Sequence, residues 1–289
     1  MTPTLPATVS ASRKPLTADA LAGLVGEGRQ LSRLDVRETA ASTNTAMLEA
    51  VRRDAGAWPA FSALVADHQT AGRGRSGRSW ATPQGAALTA SFLLRPEVPG
   101  DELGWAPLVV GLATVRTLRD AGVGAYLKWP NDVVVESGVK PIPGWGRWRK
   151  VVGILCEMAP RSGVDQEAAV VAGIGINVSQ SSGELPVPHA ASLYTLGAGW
   201  LDRVALVKSL VAHLRDGVAM WEADEDFPQV HAAVEGVCAS IGWDVTVATP
   251  SGESVMGRVT GLSPSGALVV ATREGEREIL AGDVTVRRA

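Results

Sequence analysis

The sequence predicts an α+β protein in which a sheet with flanking helices is followed by a small all-β unit. Over residues 33 to 239, short apolar runs alternate with segments of helical spacing, of which Leu108 to Leu118 is the clearest. After Gly242 the pattern changes to short strands that are divided by Pro-Ser-Gly and Glu-Gly turns. The first pattern predicts the sheet and its helices, and the second predicts a small C-terminal β-barrel of the SH3-like kind.

The elements are predicted to begin with a disordered tail over residues 1 to about 14, which are rich in Thr, Pro and Ser, and a short helix over Leu16 to Val25. Helices are then predicted at Thr45 to Arg53, Leu108 to Leu118, 201 to 221 and Val230 to Cys238. Strands are predicted at Arg33 to Glu38, Ala63 to His68, Ala86 to Leu94, Val133 to Val135, Val151 to Met158 and Ala168 to Val178. The last two strands are continuously apolar, which predicts that both their faces are covered. The expected units are therefore residues 1–32, a tail with a short helix, residues 33–239, the main domain, and residues 240–289, the SH3-like domain.

The composition is that of an ordinary globular protein. Hydrophobic residues make up 46% of the 289 residues and charged residues 20%, and the net charge of −3 gives no basic surplus for nucleic-acid binding. No apolar run approaches the roughly 18 residues of a transmembrane helix, and the polar N-terminus lacks the apolar core of a secretory signal. Cys156 and Cys238 stand far apart in apolar surroundings, which predicts two buried thiols in a reducing compartment. We therefore expect a cytoplasmic protein that binds neither DNA nor a membrane.

The most informative segment is the arginine-glycine loop, Gly72 to Trp80, in which three arginines alternate with three glycines. Its G-x-G-x-x-G spacing raises a dinucleotide-binding alternative, but that motif must open a helix, whereas this chain continues into the predicted strand at Ala86 to Leu94. Glycines let a backbone fold closely around a ligand, and arginine forks suit carboxylate and phosphate oxygens. The loop is predicted to hold two anions, a carboxylate and a triphosphate, against each other, and a solvated basic turn is the alternative.

A family resemblance becomes visible at this loop. The run Asp67 to Trp80 (DHQTAGRGRSGRSW) resembles the signature loop of biotin-protein ligases. Further matching segments follow in the family's order: Ser42-Thr43-Asn44, Lys128-Trp129-Pro130-Asn131-Asp132, Lys150 to Leu155 (KVVGIL), Gly173 to Val178 (GIGINV), Ala191-Ser192-Leu193 and Ala281 to Val284. The resemblance covers the chain from about residue 33 to the end. It implies a central mixed sheet with flanking helices, of the class II aminoacyl-tRNA-synthetase-like type, and a monofunctional bacterial enzyme, since residues 1 to 32 leave little room for a DNA-binding domain.

The activity that the resemblance implies is that of an ATP-dependent ligase. Biotin and MgATP would give biotinyl-5'-AMP, and the biotin would then pass to a lysine of a biotin carboxyl carrier domain of acetyl-CoA carboxylase or a related carboxylase. The cofactors implied are ATP and Mg²⁺. Members of the family often dimerise, so a weak or ligand-promoted homodimer is a candidate assembly.

The resemblance also assigns site residues. Arg73, Arg75 and Lys150 are implied as catalytic. The implied biotin contacts are Ser42, Thr43, Asn44, Gln69, Gly72, Arg73, Gly74, Arg75, Lys150 and Gly153. The implied nucleotide contacts are Arg75, Arg78, Trp80, Lys128, Asn131, Asn177 and Ser192, and Asp132 is implied on the Mg²⁺ side.

The same residues have structural interpretations that the sequence leaves open. Ser42 to Asn44 has the composition of a helix N-cap, and Lys128 to Asp132 that of a turn. Lys150 precedes an apolar strand and is equally a strand-end lysine that points to water, and Asn177 is equally a strand terminator. The stretch Gly138 to Trp148, rich in Trp and Gly, is longer than usual in this family. It is predicted as a loop that either folds over the site or lies away from it.

Three other functions are compatible with the fold. A lipoate- or octanoate-attaching enzyme would need a different acyl pocket and would have no use for the polar Ser42-Thr43-Asn44 triplet. A biotin-responsive repressor would need a DNA-reading domain, which residues 1 to 32 are too short and too weakly basic to form. A non-catalytic biotin- or nucleotide-binding module would not need the full set of cations.

Overall fold

The protein is represented by a computed structural model that describes residue 9 and residues 12–137, 140–159, 168–223 and 228–288. The predicted tail at residues 1–8, 10 and 11 and the start of the predicted loop at residues 138 and 139 lie outside the described residues. The helices are α1 (Ala18–Leu21), α2 (Thr43–Arg53), α3 (Ala106–Asp120), α4 (Arg203–Glu222) and α5 (Pro228–Glu235). The strands are β1 (Arg33–Ala40), β2 (Ser62–Gln69), β3 (Gly72–Arg73), β4 (Ser79–Trp80), β5 (Ala87–Leu94), β6 (Ala125–Lys128), β7 (Asp132–Glu136), β8 (Trp148–Met158), β9 (Val170–Asn177), β10 (Asp244–Ala248), β11 (Ser254–Leu262), β12 (Leu268–Thr272), β13 (Gly275–Ile279) and β14 (Asp283–Arg288).

A seven-stranded mixed sheet forms the centre, in the order β1-β2-β5-β9-β8-β7-β6. Strands β1 and β2 pair in parallel, and every other neighbouring pair is antiparallel. This confirms the predicted mixed sheet. The C-terminal strands form a five-stranded antiparallel sheet, β13-β12-β11-β10-β14, which agrees with the predicted small β unit. Among the described helices, none combines the length and the apolar character that crossing a bilayer requires.

The two faces of the central sheet differ in what covers them, and strand β9 illustrates the difference. Its even-numbered residues, among them Ile174 and Ile176, join the main hydrophobic core with α3 and α4. Val171, on the opposite face, joins a smaller cluster beneath α2. Further along that second face the side chains are absent or polar, at Gly173, Gly175 and Asn177. The continuous apolar run is therefore one core face combined with a glycine-lined face that leaves space above the sheet.

Of two sequence predictions near the sheet edge, one is confirmed and one was wrong. Lys128 to Asp132 forms the turn that its composition predicts, because residues 129–131 join Lys128 at the end of strand β6 to its pairing partner Asp132 at the start of β7. Strand β6 has four residues and follows a Gly-Val-Gly segment, so it carried no periodic signal. Lys150 lies inside β8 rather than before it. The polar start of this strand is tolerated because the buried Arg149 is bonded to backbone carbonyls.

The N-terminal segment is anchored, contrary to the prediction of disorder as far as about residue 14. The fully buried Arg203 of α4 donates to the carbonyl oxygens of Ser12 at 3.3 Å and Lys14 at 2.6 Å. Its guanidinium also forms an ion pair with Asp67 at 2.9 Å, and Asp67 accepts the backbone N–H of Leu16. Tertiary contacts of residues distant in sequence therefore order a segment whose composition alone predicts a flexible tail.

Asp67→Asn should lower the free energy of unfolding by about 3 kcal/mol, because it leaves the buried charge of Arg203 without a counter-charge. Urea denaturation measures the change. Glu253→Gln is the matched control, since it makes the same carboxylate-to-amide change in the exposed Arg277–Glu253 pair (3.1 Å) and should cost at most about 1 kcal/mol. Equal losses for the two variants would show that removing the charge of Asp67 does not leave a costly unpaired charge on Arg203.

Candidate active site

A cleft of about 570 Å³ opens on the glycine-lined face of the central sheet. Its floor is formed by β8 and β9, and its walls by the arginine-glycine loop, the start of α2, residues 186–190 and the start of β14. The predicted site residues that line it are Ser42, Thr43, Asn44, Gln69, Arg73, Gly74, Arg75, Arg78, Trp80, Lys128, Asn131, Asp132, Lys150, Gly153 and Asn177. Folding therefore brings nearly the whole predicted set to one place.

Two predicted contact residues, Gly72 and Ser192, are not among the lining residues. Gly72 lies in β3, where an added Cβ would overlap the carbonyl oxygen of Trp80, so its smallness lets β3 and β4 pair closely. Ser192 is fully buried, and its hydroxyl donates to the carbonyl of Gln180 at 2.6 Å. Both residues support the walls of the cleft from behind, and their direct contact with a ligand stays a prediction.

A polar cage closes one end of the cleft. Ser42 is the N-cap of α2, which confirms the N-cap interpretation, and it also lines the cleft, where ligand contact stays a prediction. The backbone N–H and the hydroxyl of Thr43 both donate to Gln69 Oε1, at 2.8 and 3.1 Å. The buried Ser91 hydroxyl lies 2.6 Å from Asn44 Oδ1. Amide and hydroxyl groups held in this way present donors and acceptors together, as a small polar ring requires.

A charged centre lies further along β8. Lys150 Nζ is 2.5 Å from Asp132 Oδ1, and Lys128 Nζ is 3.7 Å from Asp132 Oδ2. Burial alone would raise the pKa of Asp132, but the two ammonium groups outweigh it and hold that pKa below its usual value. Burial lowers the pKa of Lys128. A charged carboxylate held between two lysines leaves this centre positive and suited to an anionic ligand.

A β-bulge places Lys150 on the cleft side. The pairing of β7 with β8 shifts between Val133 and Val134, so Val133 pairs with Val152 and Val134 pairs with Lys150. The extra residue lets Lys150 and Gly153, which are three positions apart, both line the cleft. A regular strand would place them on opposite faces.

The arginine-glycine loop reaches three different walls of the cleft. It runs from β3 through a short 3-10 turn (Arg75–Gly77) to β4, and no α-helix opens there, so the dinucleotide alternative is excluded. Arg73 forms an ion pair with Glu157 at 3.0 Å, and Arg78 forms one with Asp283 of the C-terminal sheet. The five lysines and arginines that line the cleft face two lining aspartates, which leaves three net positive charges.

Arg75 differs from the other two loop arginines in its partner. Its Nη1 donates to the amide oxygen of Asn131 at 3.1 Å, and within the described residues no carboxylate lies in ion-pair distance of it. The charge of Arg75 is partly desolvated by burial, which lowers the pKa of its guanidinium. A partly desolvated cation without a carboxylate partner is stabilised more by an anionic ligand than a cation that is already paired.

Trp80 lies over the middle of the sheet floor. Added Cβ atoms at Gly153 and Gly175 would come within 3.0 and 2.6 Å of its ring, so these two glycines are what lets the ring lie against the strands. Lys150 Nζ is 5.7 Å from the ring centroid. The indole N–H is buried and has no hydrogen-bond partner among the described residues. The ring therefore separates the polar cage from the charged centre and carries a free donor.

Comparison with known proteins accounts for this arrangement. Residues 37–177 match the model of the biotin/lipoate A/B protein ligase family, and residues 240–287 match the biotin protein ligase C terminal domain. The chain is 34% identical to the biotin--[acetyl-CoA-carboxylase] ligase of Mycobacterium tuberculosis over 90% of this chain and 91% of that protein. The chain belongs to the biotin protein ligase family. The similarity extends to the biotin--[acetyl-CoA-carboxylase] ligase of Paracoccus denitrificans, with 32% identity over 76% of this chain and 88% of that protein.

Solved structures of the family give the same result for the fold. The biotin protein ligase from Aquifex aeolicus in complex with biotin and ATP matches with a TM-score of 0.70 and 29% identity, over 90% of this chain and 100% of that chain. This confirms the predicted biotin-ligase type of fold. The resemblance that was based on seven short segments is thereby confirmed across most of the chain.

Several lining residues of this biotin protein ligase were missed by the sequence analysis. They are Ser79, Ala81, Pro130, Trp145, Ile154, Leu155, Gly173, Ile174, Gly175, Pro186, Val187, His189, Ala190, Asp283, Val284 and Thr285. Many of these residues lie in or beside the segments that carry the family resemblance, such as the GIGINV run and the Ala281 to Val284 segment. Trp145 and His189 lie in stretches without periodicity, and only folding brings them together. The unusual density of Trp in Gly138 to Trp148 was the one signal that could have indicated the first of these two.

Gly173→Ala should raise the KM for biotin about tenfold or more, because an added Cβ would overlap the side-chain amide of Asn44. Asn44 is fixed by donation to the carbonyl of Leu155 and to Glu157, both at 2.9 Å, so it cannot yield without breaking these bonds. Steady-state kinetics with varied biotin measures the effect. Gly183→Ala is the matched control, since nothing lies within 4 Å of its added Cβ. An unchanged KM in Gly173→Ala would contradict the predicted contact of Asn44 with biotin.

Proposed function

We propose that this chain is an ATP-dependent biotin--[acetyl-CoA-carboxylase] ligase. It activates biotin with MgATP to biotinyl-5'-AMP and transfers the biotin to a lysine of a biotin carboxyl carrier domain. The proposal is based on one cleft that holds the Thr43–Gln69 polar cage at one end and the charged centre around Lys150 further along β8, with the Trp80 ring between them. The names of its relatives and the biotin and ATP bound in the Aquifex aeolicus enzyme support the same substrates.

The polar cage is proposed to bind the ureido ring of biotin. That ring has two N–H donors and one carbonyl acceptor, and the cage offers the amide oxygens of Gln69 and Asn44 beside the hydroxyls of Ser42 and Thr43. A lipoyl or octanoyl chain has no groups that hydrogen-bond to the cage, so the bonding capacity that remains beyond the Thr43–Gln69 and Ser91–Asn44 bonds would be lost from water and stay unused on binding. The site therefore favours biotin by penalising apolar competitors.

The charged centre is proposed to carry out the first half-reaction. The biotin carboxylate oxygen forms a bond to the α-phosphorus of ATP, and the bond from that phosphorus to the bridging oxygen breaks and releases pyrophosphate. Lys150 and Arg75 neutralise the two anions that must approach each other, and Arg73 and Arg78 extend the positive field across the loop. Lys128, Asn131 and Asn177 are proposed to hold the nucleotide.

Mg²⁺ is proposed to enter with the phosphates. In nucleotide sites this ion takes one or two carboxylates together with phosphate oxygens, and Asp132 is the lining carboxylate at the charged centre. Across the described ranges, no group of three or more His, Cys, Asp or Glu side chains is arranged to hold a metal ion by itself. Asp132 would therefore hold the ion together with the nucleotide, and the ion would supply charge neutralisation there.

In the second half-reaction the acceptor lysine amine attacks the acyl carbon, the C–O bond of the mixed anhydride breaks, and AMP leaves. The mixed anhydride must react with the amine before water hydrolyses it. The arginine-glycine loop, with Trp80 at its end, is proposed to cover the intermediate until the carrier docks. Residues 33–239 would form the catalytic unit, with residues 240–289 as the second unit.

A cytoplasmic location is proposed on the basis of the thiols. Cys156 and Cys238 are both free, and burial raises the pKa of their thiols to about 12 and about 11. Cys238 is buried as predicted, whereas Cys156 is only partly buried. Unreactive free thiols suit a reducing compartment.

The experiment that tests the proposal measures pyrophosphate release and label transfer with purified protein and MgATP. Biotin, lipoate and octanoate are supplied in separate reactions, with and without a biotin carboxyl carrier domain. We expect release with biotin alone, and labelled carrier when both are present. Release with lipoate or octanoate in preference to biotin would assign the chain to the other branch of the family, and binding of biotin without release would make it a binding module.

A further inference from the structure

The segment from Lys140 to Trp148, which follows β7, is a folded element and not a loose loop. The buried guanidinium of Arg149 donates to the carbonyl oxygens of Lys140 at 2.7 Å, Gly146 at 3.3 Å and Trp148 at 2.9 Å. The backbone N–H of Ile142 donates to the carbonyl of Gly146 at 2.7 Å. One buried side chain therefore fixes both ends of the segment.

The same segment is attached to the C-terminal sheet. The backbone N–H of Val286 in β14 donates to the carbonyl of Gly144 at 2.9 Å. Trp148 packs against Trp243, with ring centroids 5.2 Å apart, and against Tyr126 at 5.7 Å in an edge-on arrangement. These contacts set the position of the segment relative to both sheets, so the direction of its remaining side chains is also fixed.

Trp145 is the side chain that this element presents to the cleft. Its ring stacks on His189 with centroids 4.1 Å apart and planes 9° apart, and both rings line the cleft. Lys128 Nζ lies 4.8 Å from the centroid of the Trp145 ring, within the range of a cation–π interaction. Thus His189 supports the ring, and the ring contacts the ammonium.

Lys128 needs such a contact more than the other cations of the cleft. Only 4% of it is exposed, and its ion pair with Asp132 is long, at 3.7 Å. Within the described ranges its ammonium has this ion pair and no shorter hydrogen bond to another protein group. An ammonium this poorly satisfied is held by the face of Trp145 and stays ready to bond phosphate oxygens.

We infer that Trp145 is a positioning residue for the proposed reaction, which acts through Lys128. The inference rests on the proposed function and extends it. Trp145 holds the Lys128 ammonium at the charged centre and shields it from water, so the cleft binds the triphosphate more tightly. Residues 140–148, part of a stretch that is longer than usual in this family, would then contribute Trp145 to the site.

The test compares Trp145→Leu with Trp145→Phe. Leucine keeps apolar bulk but lacks an aromatic face, whereas phenylalanine restores one. We expect Trp145→Leu to raise the KM for ATP about tenfold and to leave the KM for biotin unchanged, and Trp145→Phe to recover most of the loss. The stabilisation of the protein by ATP in thermal unfolding should fall in the same order, which gives a readout that needs no turnover. Trp200→Leu is the matched control, since it makes the same change at a partly buried tryptophan that does not line the cleft, and it should not change the KM for ATP.

A double-mutant cycle identifies the residue through which Trp145 acts. If it acts through Lys128, then Trp145→Leu in a Lys128→Met background should cause no further loss of ATP binding. Additive losses, or identical behaviour of the Leu and Phe variants, would overturn the inference. Failure of the proposed function looks different, because wild type would then bind ATP and be stabilised by it without releasing pyrophosphate, and the Leu–Phe comparison of ATP binding could still be made.

Discussion

Arg75→Ala should lower the rate of biotinyl-adenylate formation by about 10²–10³ and should release a larger share of the adenylate into solution. The reason is the state of Arg75 in the cleft: it is partly desolvated, its guanidinium is bonded to the neutral amide of Asn131 at 3.1 Å, and it has no carboxylate partner among the described residues. Its charge is therefore available to the acyl phosphate. Pyrophosphate release measures the first effect, and the ratio of free to protein-bound adenylate measures the second.

Two controls separate the role of Arg75 from general damage. Arg277→Ala removes an exposed arginine that is paired with Glu253 in the C-terminal sheet, and it should leave both readouts unchanged. Arg75→Lys keeps a charge but not the planar fork, and should recover only part of the rate, because a lysine cannot bind two oxygens side by side. If Arg75→Ala retained adenylate as tightly as wild type, the proposed role of the loop would be wrong.

Lys150→Met should reduce adenylate formation by a similar factor of about 10²–10³, for a different reason. Methionine keeps the length of the side chain and removes its charge, so the carboxylate of Asp132 loses its 2.5 Å partner and is left with Lys128 at 3.7 Å. The centre then changes from net positive towards neutral at the point where two anions must meet. Rapid-quench measurement of the first turnover isolates this chemical step.

The matched control for this change is Lys208→Met, which alters an exposed lysine of α4 in the same way. It should react at the wild-type rate. If Lys150→Met lost transfer to the carrier but formed adenylate normally, Lys150 would belong to the second half-reaction, and the assignment of the charged centre would have to change.

The sequence was sufficient for the parts of the site that are local along the chain. Ser42 to Asn44 had to follow a strand and begin a helix, and the glycines of the arginine-glycine loop indicated a backbone that folds around an anion. The buried strand β9 was visible from its continuous apolar run. In each of these cases a few neighbouring residues contain the physical cause, so a pattern in the sequence is enough.

The remaining parts depend on pairings that no local pattern records. The position of Lys150 relies on a β-bulge opposite Val133 and Val134, and that of Trp145 on Arg149 and on a hydrogen bond to the C-terminal sheet. The anchoring of residues 12–16 by Arg203 joins segments that are almost 190 residues apart, as for Lys14 and Arg203. Such features follow from the packing of the whole chain, and they are where the sequence-based predictions were incomplete or wrong.

One cleft is proposed to bind biotin and ATP in a fixed order along β8 and β9. A crystal structure with a non-hydrolysable analogue of biotinyl-adenylate would show this order. We expect the ureido ring to be hydrogen-bonded within the Thr43–Gln69 cage and the acyl phosphate to contact Lys150 and Arg75. An analogue bound in the opposite direction, or outside this cleft, would contradict it.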